Sequence, residues 1–191
     1  MPYYHPIPLM PYCCVPAALQ WILYRRGLDI LDQETIGANL GLQLPISGKK
    51  IFRNPGIIFT DKKPVDGYGT RIHIPEYSIQ KFFDKYGFKL KISDLYTFKT
   101  NSQIHDFLVE NMKPENDIIL RWHTRIFKGG KEPEGVGHFS VIEDYDPSDQ
   151  EVVIGDPDPP FFKKASLGQL LYAMSDQVDG IQRGMYLVEN A

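Results

Sequence analysis

The sequence has few cysteines, no long apolar run and no surplus of basic residues, and each absence excludes a class of protein. No apolar stretch approaches the roughly 20 residues that a membrane-spanning helix requires, so we expect no membrane span. Lysine and arginine total 21 against 24 aspartate and glutamate residues, which gives a net charge of -3. Nucleic-acid-binding proteins usually carry a basic surplus, so we expect no nucleic-acid partner. The amino terminus lacks the basic and apolar regions of a secretory signal, which favours a cytoplasmic location.

The only two cysteines, Cys13 and Cys14, are adjacent in the sequence. Neighbouring cysteines form a disulfide only with strain, so we expect no disulfide framework and a reducing compartment. Two thiols cannot complete a four-thiolate zinc site, and no cofactor or metal is expected. The pair therefore leaves two possibilities, which are thiol chemistry and burial as small apolar side chains.

The rest of the composition is typical of a globular α+β protein. Hydrophobic residues make up 42% of the 191 residues and charged residues 24%. We expect a single domain over 1–191, with a mainly helical lobe (1–115), which includes a long loop at 41–73, and an antiparallel β-sheet lobe (116–191). Apolar periodicity predicts helices at 14–26, 32–40, 75–86, 101–112 and 167–174, and strands at 88–92, 117–123, 137–145, 151–156 and 184–188.

Cys14 lies where the first of these helices is predicted to begin. Pro16 falls in the first turn, where its missing N–H group costs nothing, and Gly27 marks the end of the helix. The helix dipole and the free N–H groups of a first turn stabilise a thiolate. Cys14 is therefore the candidate nucleophile, and Cys13, which precedes the helix, is expected to point elsewhere.

His138 is the candidate general base among five histidines. The predicted strands 137–145 and 151–156 are joined by a turn sequence, and folding this hairpin brings Asp156 roughly opposite His138. A carboxylate beside an imidazole fixes its tautomer and stabilises the imidazolium. The alternative is that the two residues form a surface pair without a catalytic role.

The segments YCCVPAAL at 12–19, GHFSVI at 137–142 and IGDP at 154–157 together resemble papain-like cysteine peptidases, most closely the bacterial double-glycine leader peptidases and their stand-alone relatives. The segment YCCVPAAL at 12–19 resembles the cysteine helix of that family, where the sequence Asp-Cys-Gly-Pro-Ala is frequent. The segments GHFSVI at 137–142 and IGDP at 154–157 resemble its histidine and Asp-Pro strands. GHFS is also similar to phytochelatin synthases, which share the papain-like fold. Residues 32–41 resemble the second helix, and about 42–113 align with nothing.

The resemblance implies a papain-like α+β fold and a Cys-His-Asp triad. Cys14 would be the nucleophile, His138 the base and Asp156 the residue that orients it. The substrate implied is a peptide or a protein.

The sequence departs from the family at the oxyanion hole. The family has a glutamine six residues before the cysteine, and its side chain helps to hold the oxyanion. This position is Pro8, which has no side-chain donor. His5, Tyr12 or a backbone N–H group are the candidate substitutes. Cys13 also replaces the usual aspartate, and Val15 the usual glycine.

Three functions remain open. The first is a cysteine peptidase-like hydrolase acting on a peptide or isopeptide bond, or an amide or acyl transferase with the same triad. The second is a catalytically impaired papain-like module that binds peptides without cleavage, which the missing glutamine motivates. The third is metal binding through Cys13, Cys14 and His138, which the lack of a metal-ligand spacing disfavours. We also expect the loop 124–136 to border the cleft, and Lys163 and Lys164 to be a solvated charge pair.

Overall fold

The computed structural model describes residues 3–124, 137–175 and 181–191. These ranges contain five α-helices and eight strands, and none of these helices is long and apolar enough to cross a membrane. The helices are α1 (Cys14–Arg25), α2 (Gln33–Asn39), α3 (Ile79–Tyr86), α4 (Asn101–Asn111) and α5 (Leu167–Met174). The strands are β1 (Gln43–Pro45), β2 (Ile58–Thr60), β3 (Leu90–Ile92), β4 (Asp117–His123), β5 (Gly137–Asp146), β6 (Glu151–Gly155), β7 (Phe162–Ser166) and β8 (Gly184–Asn190).

A six-stranded antiparallel sheet with the order β3-β8-β4-β5-β6-β7 is the centre of the fold. Alternate side chains of its strands belong to two hydrophobic clusters, because successive residues of a strand point to opposite faces. Ile119 and Val141 pack in one cluster with α1 and α3, and Leu120 and Ile142 pack in the other with α4 and α5. The α+β fold with an antiparallel sheet agrees with the sequence prediction.

The two helices at the start of the chain form close to where the sequence places them. α1 begins at Cys14, and Gly27, at a φ of 64°, follows its end in a left-handed conformation that glycine adopts readily. Asp32 caps α2 by accepting a hydrogen bond from the backbone N–H group of Thr35 at 2.7 Å. The helix expected at Pro75 starts later, because 75–77 form a 3₁₀ turn and Ser78 caps α3.

The region 41–73 differs from the long loop that its glycines and prolines predict. β1 and β2 form a parallel pair there, with Leu44 opposite Phe59. A small apolar cluster supports the pair, which explains why the segment is structured. Its buried members are Cys13, Leu42, Leu44, Phe52 and Ile57.

The segment before α1 crosses the molecule as an extended arm. The hydroxyl of Tyr4 donates to Asp117 at 2.5 Å, and the indole N–H of Trp21 donates to the carbonyl of Ile7 at 2.8 Å. Near its end, the N–H group of Leu9 donates to the carbonyl of Pro157 at 3.1 Å. The arm is thus attached to the sheet, to α1 and to the loop that follows β6.

Candidate active site

The two adjacent thiols have different surroundings. Cys14 is the first residue of α1 and is partly exposed, whereas Cys13 is completely buried in the cluster beneath β1 and β2. Burial, together with the nearby Cys14 and Glu34, raises the pKa of the Cys13 thiol to about 12. Cys13 therefore behaves as a core side chain that stays protonated, and it points away from the helix terminus as the sequence suggested.

His138 and Asp156 form a buried pair at the start of β5 and the end of β6. The Nε2 atom of His138 lies 2.6 Å from Oδ1 of Asp156, and both side chains are almost inaccessible to solvent. Burial lowers the pKa of His138, but hydrogen bonds with Asp156 and with Cys14 outweigh it and raise the pKa to about 9. Because Nε2 is occupied by Asp156, the ring nitrogen left for the Cys14 sulfur is Nδ1. The structure thus brings the three residues together in the order Cys14, His138, Asp156.

A β-bulge sets the register that aligns this pair. β5 and β6 pair Asp146 with Glu151, and the register then shifts by one residue between Ile142 and Asp144. Continuing the shifted register places Asp156 opposite Ser140, diagonal to His138 and on the same face. Without the extra residue, the register set by Asp146 and Glu151 would place Asp156 opposite Val141, on the other face of the sheet. Asp156 is therefore two positions from the directly opposed position that hairpin folding predicts.

The second carboxylate oxygen of Asp156 has a partner that the sequence did not reveal. The Nζ atom of Lys163, on β7, lies 2.5 Å from Oδ2, while the backbone N–H group of Asp158 donates to Oδ1 at 2.9 Å. Burial raises the pKa of Asp156, but the contacts with His138, Lys163 and Asp158 lower it below the usual value. The Lys163-Lys164 doublet predicts two solvated charges, and for Lys163 this prediction is wrong. The strand that carries it, β7, is also absent from the predicted strands.

Trp122 flanks the histidine on the neighbouring strand. It is paired with His138 across β4 and β5, and the two rings meet edge to face at 5.6 Å. The indole N–H group donates to the hydroxyl of Ser140 at 2.9 Å, which fixes the orientation of the indole. The imidazole is therefore held between a rigid ring and a carboxylate.

The candidate oxyanion residues are not all near Cys14. The ring of His5 packs 5.2 Å from that of Tyr24, close to the end of α1 and roughly 15 Å of helix away from Cys14 at a rise of 1.5 Å per residue. Tyr12 is close to Cys14 in sequence, has a positive φ of 65°, and directs its ring to Tyr68 at 5.6 Å. Of the candidate oxyanion donors, Tyr12 and the backbone N–H groups of the first turn of α1 therefore lie nearer to Cys14 than His5 does.

Gln33 holds the segment that carries Pro8. Its side-chain amide donates to the carbonyl of Pro8 at 2.9 Å and to Oε1 of Gln20 at 2.9 Å, and its own Oε1 accepts from the N–H group of Met10 at 2.7 Å. Because both donor hydrogens serve these contacts, Gln33 does not replace the missing glutamine side chain. It fixes the backbone leading to the cysteines instead.

The described part of the chain contains no group of three or more His, Cys, Asp or Glu side chains placed to hold a metal ion. Thr124 ends the described residues before His138, so the loop expected to border the cleft lies, from residue 125 to 136, outside them.

Comparison with solved structures identifies the fold class. The structure is similar to that of the peptidase domain of Streptococcus ComA, described as a bi-functional ABC transporter involved in a quorum sensing pathway. The match has a TM-score of 0.55 at 13% sequence identity and covers 99% of this chain and 100% of that domain. No family model and no curated protein matches the sequence. The chain has the papain-like fold of a peptidase domain, which confirms, at the level of the fold, the resemblance indicated by the sequence motifs.

Proposed function

We propose that the protein is a papain-like cysteine peptidase that hydrolyses a peptide or isopeptide bond with Cys14, His138 and Asp156. The observation that carries this proposal is the 2.6 Å contact between His138 Nε2 and Asp156 Oδ1, with the other ring nitrogen left for the thiol at the start of α1. These are the nucleophile, base and orienting group that acyl transfer needs. The two free thiols, which suit a reducing compartment, favour a cytoplasmic location.

The proposed reaction has two halves. The Cys14 thiolate attacks the scissile carbonyl carbon, and the imidazolium of His138 gives its proton to the leaving amine as the C–N bond breaks. Water then attacks the resulting thioester as His138 accepts its proton, and the C–S bond breaks to release the acid product, which ionises, and to restore the Cys14 thiolate beside the imidazolium. If an amine replaces water in the second half, the same residues perform amide transfer. Asp156 keeps the imidazole oriented throughout and stabilises its charged form.

A second candidate function is a papain-like module that binds peptides with little or no cleavage. Pro8 favours it, because it stands where the related peptidases carry an oxyanion donor. Loss of one such donor costs about 100-fold or more in rate. The two functions differ in the state of Cys14: the peptidase needs a thiolate paired with His138, and the binding module does not.

Alkylation of the folded protein tests the proposal without a known substrate. We expect iodoacetamide to label Cys14 rapidly near pH 6, where a free thiol with a pKa of about 8.5 is almost fully protonated. Cys13 lies in the same peptide and serves as the internal control, since its burial should keep it unlabelled until the protein unfolds. Mass spectrometry of that peptide separates the two sites. The His138→Gln variant should lose the reactivity at low pH.

Slow labelling of Cys14 with an ordinary thiol profile, unchanged in His138→Gln, would reject the peptidase. Fast labelling justifies incubation with a proteome-derived peptide library, with Cys14→Ala as the inactive control. New amino termini that appear with the wild-type protein alone would then define the cleaved bond. Peptides retained equally by the wild type and by Cys14→Ala, without cleavage, would favour the binding module.

A further inference from the structure

Lys163 is a nearly buried cation next to the proposed triad. Its side chain is 11% exposed, and its Nζ atom lies 2.5 Å from Oδ2 of Asp156 and 2.6 Å from the carbonyl oxygen of Asp158. Placing an ammonium group in such a site costs desolvation energy, which a carboxylate and a carbonyl in direct contact offset. The Lys163 ammonium group therefore depends on its contacts with Asp156 and Asp158, whereas a lysine on an open surface needs no such partners.

Strand pairing explains why this lysine meets Asp156. β7 pairs with β6 so that Lys163 lies opposite Ile154, and Asp156 is two residues further along the same face. Lys164 lies opposite Val153 and points to the other face, where it pairs with Glu151. Each of the adjacent lysines thus contacts a carboxylate two residues from its opposed position, one almost buried at the proposed site and one exposed.

The two oxygens of Asp156 are divided between different partners. Oδ1 receives the imidazole of His138 and the N–H group of Asp158, and Oδ2 receives Lys163. A carboxylate held only at Oδ1 can rotate about its side-chain bonds, whereas one held at both oxygens keeps a single orientation.

We propose that Lys163 is a positioning residue of the site, which keeps Asp156 ionised and turned so that one oxygen always faces His138. The inference rests on the proposed function and adds a fourth residue, acting through Asp156, to the three assigned there. Four groups face or reach this carboxylate in the described residues: His138 from β5, Lys163 from β7, the Asp158 main chain from its own loop, and Cys14 of α1 through the imidazole.

Removing the ammonium group has a predictable electrostatic direction. A neighbouring cation lowers the pKa of a carboxylate, so its loss raises the pKa of Asp156. A protonated Asp156 no longer balances the charge of the imidazolium, and the thiolate of Cys14 loses the partner that stabilises it. The acid side of the Cys14 reactivity profile should then move to higher pH.

The test compares Lys163→Met with Lys163→Arg and with the matched control Lys164→Met. The measured quantity is the rate of Cys14 alkylation by iodoacetamide between pH 4 and 9, located by peptide mass spectrometry. We expect the acid limb of Lys163→Met to move upward by about one unit or more, which means about tenfold slower labelling on that limb. Lys163→Arg, which keeps the charge, and Lys164→Met, which removes the exposed one, should follow the wild-type profile.

Thermal unfolding of the same variants separates positioning from packing. If Lys163→Met unfolds at a lower temperature but has the wild-type alkylation profile, the lysine is structural and the inference is overturned. If Lys163→Met does not fold, Lys163→Gln is measured under the same criterion, because it keeps a donor without the charge. A wild-type profile typical of an ordinary thiol would instead overturn the proposed function, so the two failures are distinguishable.

Discussion

The thiols of the adjacent residues Cys13 and Cys14 differ in burial and in their neighbours, although only one position separates them in the sequence. Cys13 is completely buried against β1 and β2, whereas Cys14 starts a helix and contacts His138. A thiol in an apolar cluster is inert, while a thiol at a helix terminus beside an imidazole is suited to nucleophilic attack. The position of the helix start therefore decides which thiol the proposed peptidase would use.

The raised pKa of His138 makes folding stability depend on pH in a defined direction. The group binds its proton more tightly in the folded protein, with a pKa of about 9 instead of 6.5. Its contribution to stability is therefore complete below pH 6.5 and is lost as the pH rises through about 9. We expect the melting temperature of the wild type to fall over this interval, and that of His138→Gln to fall less.

Asp156→Asn provides the second variant for this measurement. Removing the carboxylate removes the largest interaction that raises the pKa of His138, so this variant should also show a flatter profile. Identical pH dependence of melting in the wild type and both variants, measured by circular dichroism from pH 6 to 10, would contradict the assignment.

Some residues of the candidate site could be predicted from the sequence, and others could not. Cys14, His138 and Asp156 were predictable because a helix start, a strand start and a hairpin each leave a local pattern. Lys163 was not, because its role depends on a strand pairing two elements away from His138. His5 was suggested by chemistry alone, and the path of the arm carries it to Tyr24 instead.

At the scale of elements, the β5–β6 hairpin controls the geometry of the site. The bulge between Ile142 and Asp144 adds one residue to β5, and this residue brings Asp156 to the face of His138. Bulges of this kind commonly occur next to active sites, where they redirect a side chain. Sequence periodicity does not show a one-residue shift, since both registers leave alternating apolar residues.

Close packing of α1 against this hairpin requires a glycine at position 155. A Cβ atom there would lie 2.9 Å from both the ring of Trp21 and a methyl group of Val141. Overpacking of this kind typically costs about 1–3 kcal/mol, so we expect Gly155→Ala to lower the free energy of unfolding by that amount. Urea denaturation measures the change.

Gly168→Ala is the matched control for this substitution. Gly168 lies in α5, and its nearest neighbours to an added Cβ are 3.8 and 3.9 Å away. Alanine is favoured over glycine in a helix by up to about 1 kcal/mol, so this variant should be as stable as the wild type or more stable. Equal destabilisation of the two variants would mean that close packing against α1 does not explain the glycine at position 155.

The elements that the sequence missed share a physical reason. β7 begins with a phenylalanine and two lysines, and only its pairing with β6 buries one of these lysines. The segment 41–73 contains enough glycine and proline to predict a loop, yet Leu44 and Phe52 bury themselves with Cys13. In both segments tertiary contacts override the local propensity.

At the scale of the whole molecule, a buried carboxylate joins distant parts of the chain. Asp117, at the start of β4, accepts from Arg25 at 2.6 Å and Arg26 at 2.5 Å, both near the end of α1, and from Tyr4 of the arm at 2.5 Å. The arm, the helix and the central sheet therefore meet at one charge.

Asp117→Ala should be among the most destabilising substitutions in the protein. It leaves two guanidinium groups partly buried without their carboxylate, which typically costs about 3–5 kcal/mol. Tyr4→Phe removes only one hydrogen bond to the same charge and should cost about 1.5–3 kcal/mol. Urea denaturation of both variants gives the comparison, and a loss in Asp117→Ala no larger than that in Tyr4→Phe would argue against a central role for the carboxylate.

Cys14 has no accessible second thiol nearby, and this affects how its oxidation by peroxide can be reversed. A thiolate that peroxide converts to a sulfenic acid is normally rescued when a resolving cysteine forms a disulfide with it. The chain has only one other cysteine, and Cys13 is buried with its thiol protonated. Repair of an oxidised Cys14 therefore depends on small thiols from the surroundings, and a second equivalent of peroxide would take it to the irreversible sulfinic state.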